Sequence, residues 1–145
     1  AVRKTIAVGA EPVGAWPATN GKMYVDNEAG QTVSVIDVNS LEVEETIALG
    51  YKPGYVAYHS DANELWVSNA TDGKVVIYQR ADNTWQRKTE IATGADAHAI
   101  VFDEDMQFAY VTNQGAHTVS VINVAGYSRV SNIAVGKMPN GIIIR

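Results

Sequence analysis

Cysteine is absent from the 145 residues, which excludes disulfide bridges, thiolate metal sites and cysteine nucleophiles and is compatible with either redox compartment. Long apolar runs are missing too. The unbroken hydrophobic stretches are a few residues each, far short of the roughly 20 that cross a bilayer as a helix, so neither a transmembrane helix nor a signal peptide is expected. There is also no basic cluster. Eleven lysines and arginines stand against 16 aspartates and glutamates, a net charge of -5, and no stretch could track phosphates. Nucleic acid is not an expected partner, nor is insertion into a membrane. Finally, the chain has no phosphate-cradling glycine loop, no GxSxG elbow, no HExxH and no dinucleotide fingerprint. No cofactor is expected.

What is present is a repeat. The phrases MYVDNEAGQTVSVIDV (23–38), LWVSNATDGKVVIYQR (65–80) and AYVTNQGAHTVSVINV (109–124) are copies of one another. Each opens on an aromatic residue, Tyr24, Trp66 or Tyr110, and nine residues later reaches a valine, Val33, Val75 or Val119. Each unit then closes on an apolar group and a glycine, at Gly50, Gly94 and Gly136, and a fourth such ending, TIAVG, stands at the start of the chain. Three residues after these glycines come Pro53, Ala97, Pro139 and Pro12, each leading into another apolar stretch. One period thus holds four short β-branched segments separated by turn signals such as Asn20-Gly21 and Asp72-Gly73. TVSVIN alternates in and out, and GIIIR is apolar throughout and reads as buried on both faces. Four-stranded units of roughly 40 to 45 residues are the mark of β-propeller blades.

The strings YVTN, TVSVIN and TIAVG, together with a Pro-x-Gly as in PVG (12–14) and PNG (139–141), resemble the YVTN-type β-propeller repeat family over essentially the whole chain. The resemblance implies a strand order: Pro-x-Gly begins the innermost strand, YVTN is the second, VSVID the third and TIAVG the outermost. The fold expected is all-β, a propeller of four-stranded antiparallel blades in one segment, 1–145. Residues 1–9 would supply an outermost strand, 10–50, 51–94 and 95–136 three complete blades, and 137–145 an innermost strand. Three blades do not close a ring, since propellers use four to eight. A protein partner, further blades of a longer chain, or copies of this chain would complete it.

Candidate site residues follow from the x of Pro-x-Gly, which the resemblance places where side chains approach the central channel. Its occupants are Val13, Gly54, His98 and Asn140. His98 is the one with chemistry, able to act as ligand, base or metal donor. His59 and His117 fall in turns at other positions of the repeat, so a three-histidine metal site is not expected. The run Asp103-Glu104-Asp105 lacks calcium-loop alternation and reads as a solvated hairpin turn. Asp26 stands where YVTN has threonine and points inward near Asn27, one acid without a visible partner. Asn27, Asn69 and Asn113 read as structural turn residues. Asn69-Ala70-Thr71 also matches a glycosylation sequon. Trp16, Trp66 and Trp85 are expected between blades or over an edge.

Two functions compete. The first is a non-enzymatic binding or scaffold module, engaging a protein or small ligand through its faces or channel mouth. The second is the propeller part of an enzyme, a lactonase-like hydrolase or a metal- or haem-linked oxidoreductase, with His98 near the channel. The resemblance implies an extracytoplasmic location, periplasmic or cell-surface, because repeats of this type occur in such proteins.

Overall fold

A computed structural model describes residues 1–145. Strands β1 (Pro12–Pro17), β2 (Lys22–Asn27), β3 (Thr32–Asp37) and β4 (Glu42–Ala48) make one antiparallel sheet. The next holds β5 (Pro53–His59), β6 (Glu64–Asn69), β7 (Lys74–Ala81) and β8 (Thr84–Ala92). The third holds β9 (Ala97–Phe102), β10 (Phe108–Asn113), β11 (Thr118–Asn123) and β12 (Ser128–Ala134). Each is a meander in sequence order, as short loops between antiparallel neighbours dictate. No helix is present. In the β2–β3, β6–β7 and β10–β11 turns one repeat position is left-handed in all three copies: Gln31 (φ 52), Gly73 (φ 63) and His117 (φ 57). Only the glycine adopts it without cost; each of the others gives up roughly 1 kcal/mol.

The sheets stack because each has two apolar faces. Tyr24, Val33, Val35 and Ile47 from the first unite with Val56, Leu65, Val67, Val76 and Tyr78 of the second in one buried cluster. The same repeat positions in the second sheet, Trp66, Val75, Ile77 and Ile91, pack with Ile100, Ala109, Val111 and Ile122 of the third. Burying each such side chain contributes roughly 1.5–3 kcal/mol. The equivalent face of the third sheet, Tyr110, Val119, Val121 and Ile133, has no fourth sheet to meet. Ile133 is 49% exposed where its counterparts Ile47 and Ile91 are 5% and 4%.

The rims of these faces differ in charge. Lys22 pairs with Glu44 at 2.6 Å on the first sheet, and Glu64 with Lys88 at 2.8 Å on the second, the same two repeat positions with the signs exchanged. On the third sheet those positions hold Phe108 and the exposed Val130. The open face is therefore apolar where the two closed ones carry ion pairs.

The expected outermost strand at Val2–Val8 and innermost strand at Gly141–Ile144 form no sheet. The reason is that a strand exists through its neighbour, and the second and third strands that would lie between these two are not in the 145 residues. Both terminal segments still contact the sheets next to them. A Cβ on Gly9 would come within 2.6 Å of Asn27, Lys4 lies 3.6 Å from Glu42, and the Thr112 hydroxyl approaches the Asn140 carbonyl at 3.5 Å.

Asn27 and Asn113 are structural, but not through turn dihedrals. The Asn27 amide donates to the hydroxyls of Thr32 and Ser34, both at 3.0 Å, and that of Asn113 to Thr118 and Ser120 at 3.0 and 2.9 Å. The second strand is thereby clamped to the third from within. Asn69 is buried and donates to Asp72 at 3.1 Å, so its sequon amide is turned away from solvent.

Candidate functional site

The innermost strands β1, β5 and β9 share one irregularity. Pro12 pairs with Asn27 and Gly14 with Asp26, leaving Val13 unpaired. Pro53 pairs with Asn69 and Tyr55 with Ser68, leaving Gly54 unpaired. On β9 the register jumps between Ala97 and Ile100, across His98. A β-bulge turns its extra residue out of the alternation and re-aims the side chain, so the three x positions leave their sheets in the same sense. They meet in one cavity of about 390 Å³, lined by Val13, Gly54, His98 and Asn140 together with Trp16 and Tyr55. Val13, Gly54 and His98 also border a smaller one of about 170 Å³ that reaches Glu28, Lys52 and Asp96. The four residues expected at the channel mouth therefore surround a common space.

In the third blade the hydroxyl that follows the valine of β10 caps the bulge. Thr112 Oγ1 accepts the backbone N–H of Ala99 at 2.9 Å, a donor the bulge frees from the ladder. Asp26 and Ser68 occupy the same repeat position on β2 and β6. Gly54 serves space rather than dihedral freedom: a Cβ there would lie 3.1 Å from His98 Nδ1 and 3.2 Å from Ser68 Oγ. Gly14 does likewise for Trp16, whose indole folds back over it to within 2.4 Å of where a Cβ would stand. Trp16 Nε1 then donates to Asp26 Oδ1 at 2.7 Å, and its ring lies against Tyr55 with centroids 3.8 Å apart.

Asp26 is fully buried and its Oδ2 has no partner. Burial pushes its carboxyl above the ordinary range, and the bonds from Trp16 and the backbone, with a smaller contribution from His98, draw it back only in part. Burial likewise raises the Tyr55 hydroxyl, and the Asp26 charge adds to that. The sequence showed Asp26 as a lone acid. Its surroundings come from the innermost strands of three blades, at different positions of the repeat, which no spacing reveals.

No protein-family model matches the chain, and no curated protein does. Solved structures do. A hydrazine synthase from Kuenenia stuttgartiensis superposes on 96% of this chain with a TM-score of 0.81 at 21% identity, the match covering 41% of that chain. A 6-phosphogluconolactonase assigned provisionally in Bacteroides fragilis superposes on 90%, with a TM-score of 0.78, 18% identity and 41% of its own length. For a periplasmic gluconolactonase from Pseudomonas aeruginosa the figures are 92%, 0.76, 18% and 42%. This chain is part of a β-propeller. It spans less than half the length of these solved chains.

Of the remaining candidates only Trp16 borders the 390 Å³ cavity. His59 ends β5, buried, with Nδ1 accepting from the Ala62 N–H at 3.2 Å and Nε2 donating to the Met106 carbonyl at 2.8 Å. It ties the second blade to a turn of the third. His117 sits in the β10–β11 turn and accepts from the Met138 N–H at 3.2 Å. No group of three histidines and acids is close enough to hold a metal ion. Asp103 caps its own turn, accepting from the Gln107 and Phe108 N–H groups at 2.8 and 3.0 Å. Trp66 and Trp85 are buried between blades and Trp16 lines the cavity.

Proposed function

We propose that the chain is a binding segment of an extracytoplasmic YVTN-type β-propeller, taking a small ligand at the channel mouth through His98 and Asn140, with Val13 and Gly54 shaping the space. The observation that carries this reading is the convergence of all four x positions on one cavity, three of them by way of repeated bulges. Binding sites are concave spaces with few, placed polar groups, and here His98 stands on strand β9 with Asn140 across the same space. The periplasmic character of the Pseudomonas relative supports the location. The apolar face of β10–β12 calls for a covering partner, and another blade of the same repeat type fits it, since two such contacts already exist within the chain. In the native protein, charging that face by Ile133→Asp is expected to break the assembly or expose dye-binding surface; an unchanged solution mass and no dye binding would mean that nothing covers it.

The channel-mouth reading is tested on the native protein with its ring complete. Ligand-observed NMR against a panel of sugars, carboxylic acids and amines should give at least one hit that His98→Ala abolishes while the melting temperature holds. No hit, or only hits indifferent to His98, overturns it. The buried Asp26 beside His98 favours a second, enzymatic reading as a lactonase-like hydrolase or an oxidoreductase, and turnover of a His98-dependent hit would establish it.

A further inference from the structure

Resting on the channel-mouth reading, the geometry points to a ligand class: we infer that the cavity takes a small organic cation, a protonated amine or quaternary ammonium, held against the Trp16–Tyr55 aromatic pair and attracted by the charge of the buried Asp26 carboxylate bonded to Trp16. The argument comes from comparing the blades of this chain with one another. What blades share is packing; residues that depart from the repeat and gather in space are free to serve something else.

Four departures gather here. Where Asp26 stands, the other blades have Ser68 and Thr112. Trp16 pairs across from Tyr24 at the position held by Ala57 and Val101. Tyr55 replaces the small residue found at Gly14, Ala99 and Gly141, and His98 replaces Val13, Gly54 and Asn140. Trp16, Tyr55 and His98 all line the 390 Å³ cavity. Asp26 is bonded to Trp16 and electrostatically coupled to both Tyr55 and His98.

At that position in the third blade the Thr112 hydroxyl accepts one backbone N–H of the bulge, while the Ser68 hydroxyl of the second blade accepts none. A carboxylate adds a charge and a second oxygen that the bulge does not require, and that oxygen is unpartnered and buried. Leaving it so is costly unless a donor or cation arrives. Aromatic faces attract cations through their quadrupole, and indole does so best. Donation from Trp16 Nε1 to the carboxylate also orients the indole. The neighbouring charges have the right sign: Glu28 and Asp96 border the adjoining space against Lys52 alone, and Lys52 is 3.5 Å from Glu28. An anion would meet this field unfavourably.

The probe is tetramethylammonium, titrated into the native protein and followed by ligand-observed NMR. Saturable binding is expected, weakened about tenfold or more by Asp26→Thr, which keeps the bulge acceptor that the third blade uses, and by Trp16→Leu. Gly54→Val, which fills the space beside His98, should abolish it. Absence of binding, or equal binding to Asp26→Thr, overturns the inference. If sugars or acids give His98-dependent hits and tetramethylammonium gives none, the cation class fails while the channel-mouth reading stands; if nothing in the panel binds, both fail.

Discussion

Replacing Lys88 with methionine in the native protein is expected to lower its stability by about 2–3 kcal/mol, read from urea unfolding at neutral pH. Glu64 is fully buried and accepts from Lys88 Nζ at 2.8 Å, from the Tyr127 hydroxyl at 2.5 Å and from Trp66 Nε1 at 3.2 Å. Burial pushes this carboxyl up, and the three donors together outweigh it and hold it below the ordinary range. Removing one partner of a fully buried pair costs roughly 3–5 kcal/mol, because the other charge is stranded. Lys88 is 34% exposed, so water screens part of the pair and the smaller figure applies. The sign with pH is definite. With its pKa depressed, Glu64 contributes stability that is present at neutral pH and lost as pH falls through its folded value. Without Lys88 only the two neutral donors oppose burial, and the carboxyl rises. The gap between variant and wild type is then widest at neutral pH and narrows on acidification through the carboxylate range. The first blade already carries the reverse arrangement, Lys22 with Glu44. Exchanging both residues, Glu64→Lys with Lys88→Glu, should therefore cost less than the single change. A double exchange as damaging as Lys88→Met would mean that the Tyr127 and Trp66 bonds, not the charges, hold the site.

Trp66→Ala should be costlier still, roughly 3–5 kcal/mol by the same measurement. Its side chain has no exposed surface, packs edge-on to Phe102 with ring centroids 5.2 Å apart, and supplies one of the Glu64 donors. Truncation opens a cavity between two rigid sheets, which collapse little. Tyr24 and Tyr110 hold the same repeat position, Tyr24 buried and Tyr110 half-exposed on the open face. In a completed ring Tyr110→Ala costs as much as Tyr24→Ala; a loss below about 1 kcal/mol would show that face to be uncovered.

Most of the architecture was legible in the primary structure because blade packing is periodic in it. The aromatic anchor, the valine nine residues on and the closing isoleucine recur in phase, and Tyr24, Val33 and Ile47 indeed lie on one buried face with their counterparts Trp66, Val75 and Ile91. The same phase groups the x positions Val13, Gly54, His98 and Asn140, which line one cavity. The terminal strands were not legible, because Val2–Val8 and Gly141–Ile144 have strand sequences without strand partners. Nor was the role of Asn27 and Asn113, whose bonds run inward to hydroxyls of the third strand.

The amino-acid order by itself determined that this chain makes four-stranded blades and where the strands of the three complete blades fall. It could do so because hydrophobic period and turn chemistry act over short separations, and each blade repeats them. Only the tertiary structure decided that Trp16, Tyr55 and His98 stand around one space, with Asp26 bonded to the Trp16 indole. They come from all three blades and from different phases of the repeat, so no local rule relates them. Their meeting follows from the stacking of one sheet on the next, which brings the innermost strands side by side and buries the Asp26 carboxylate.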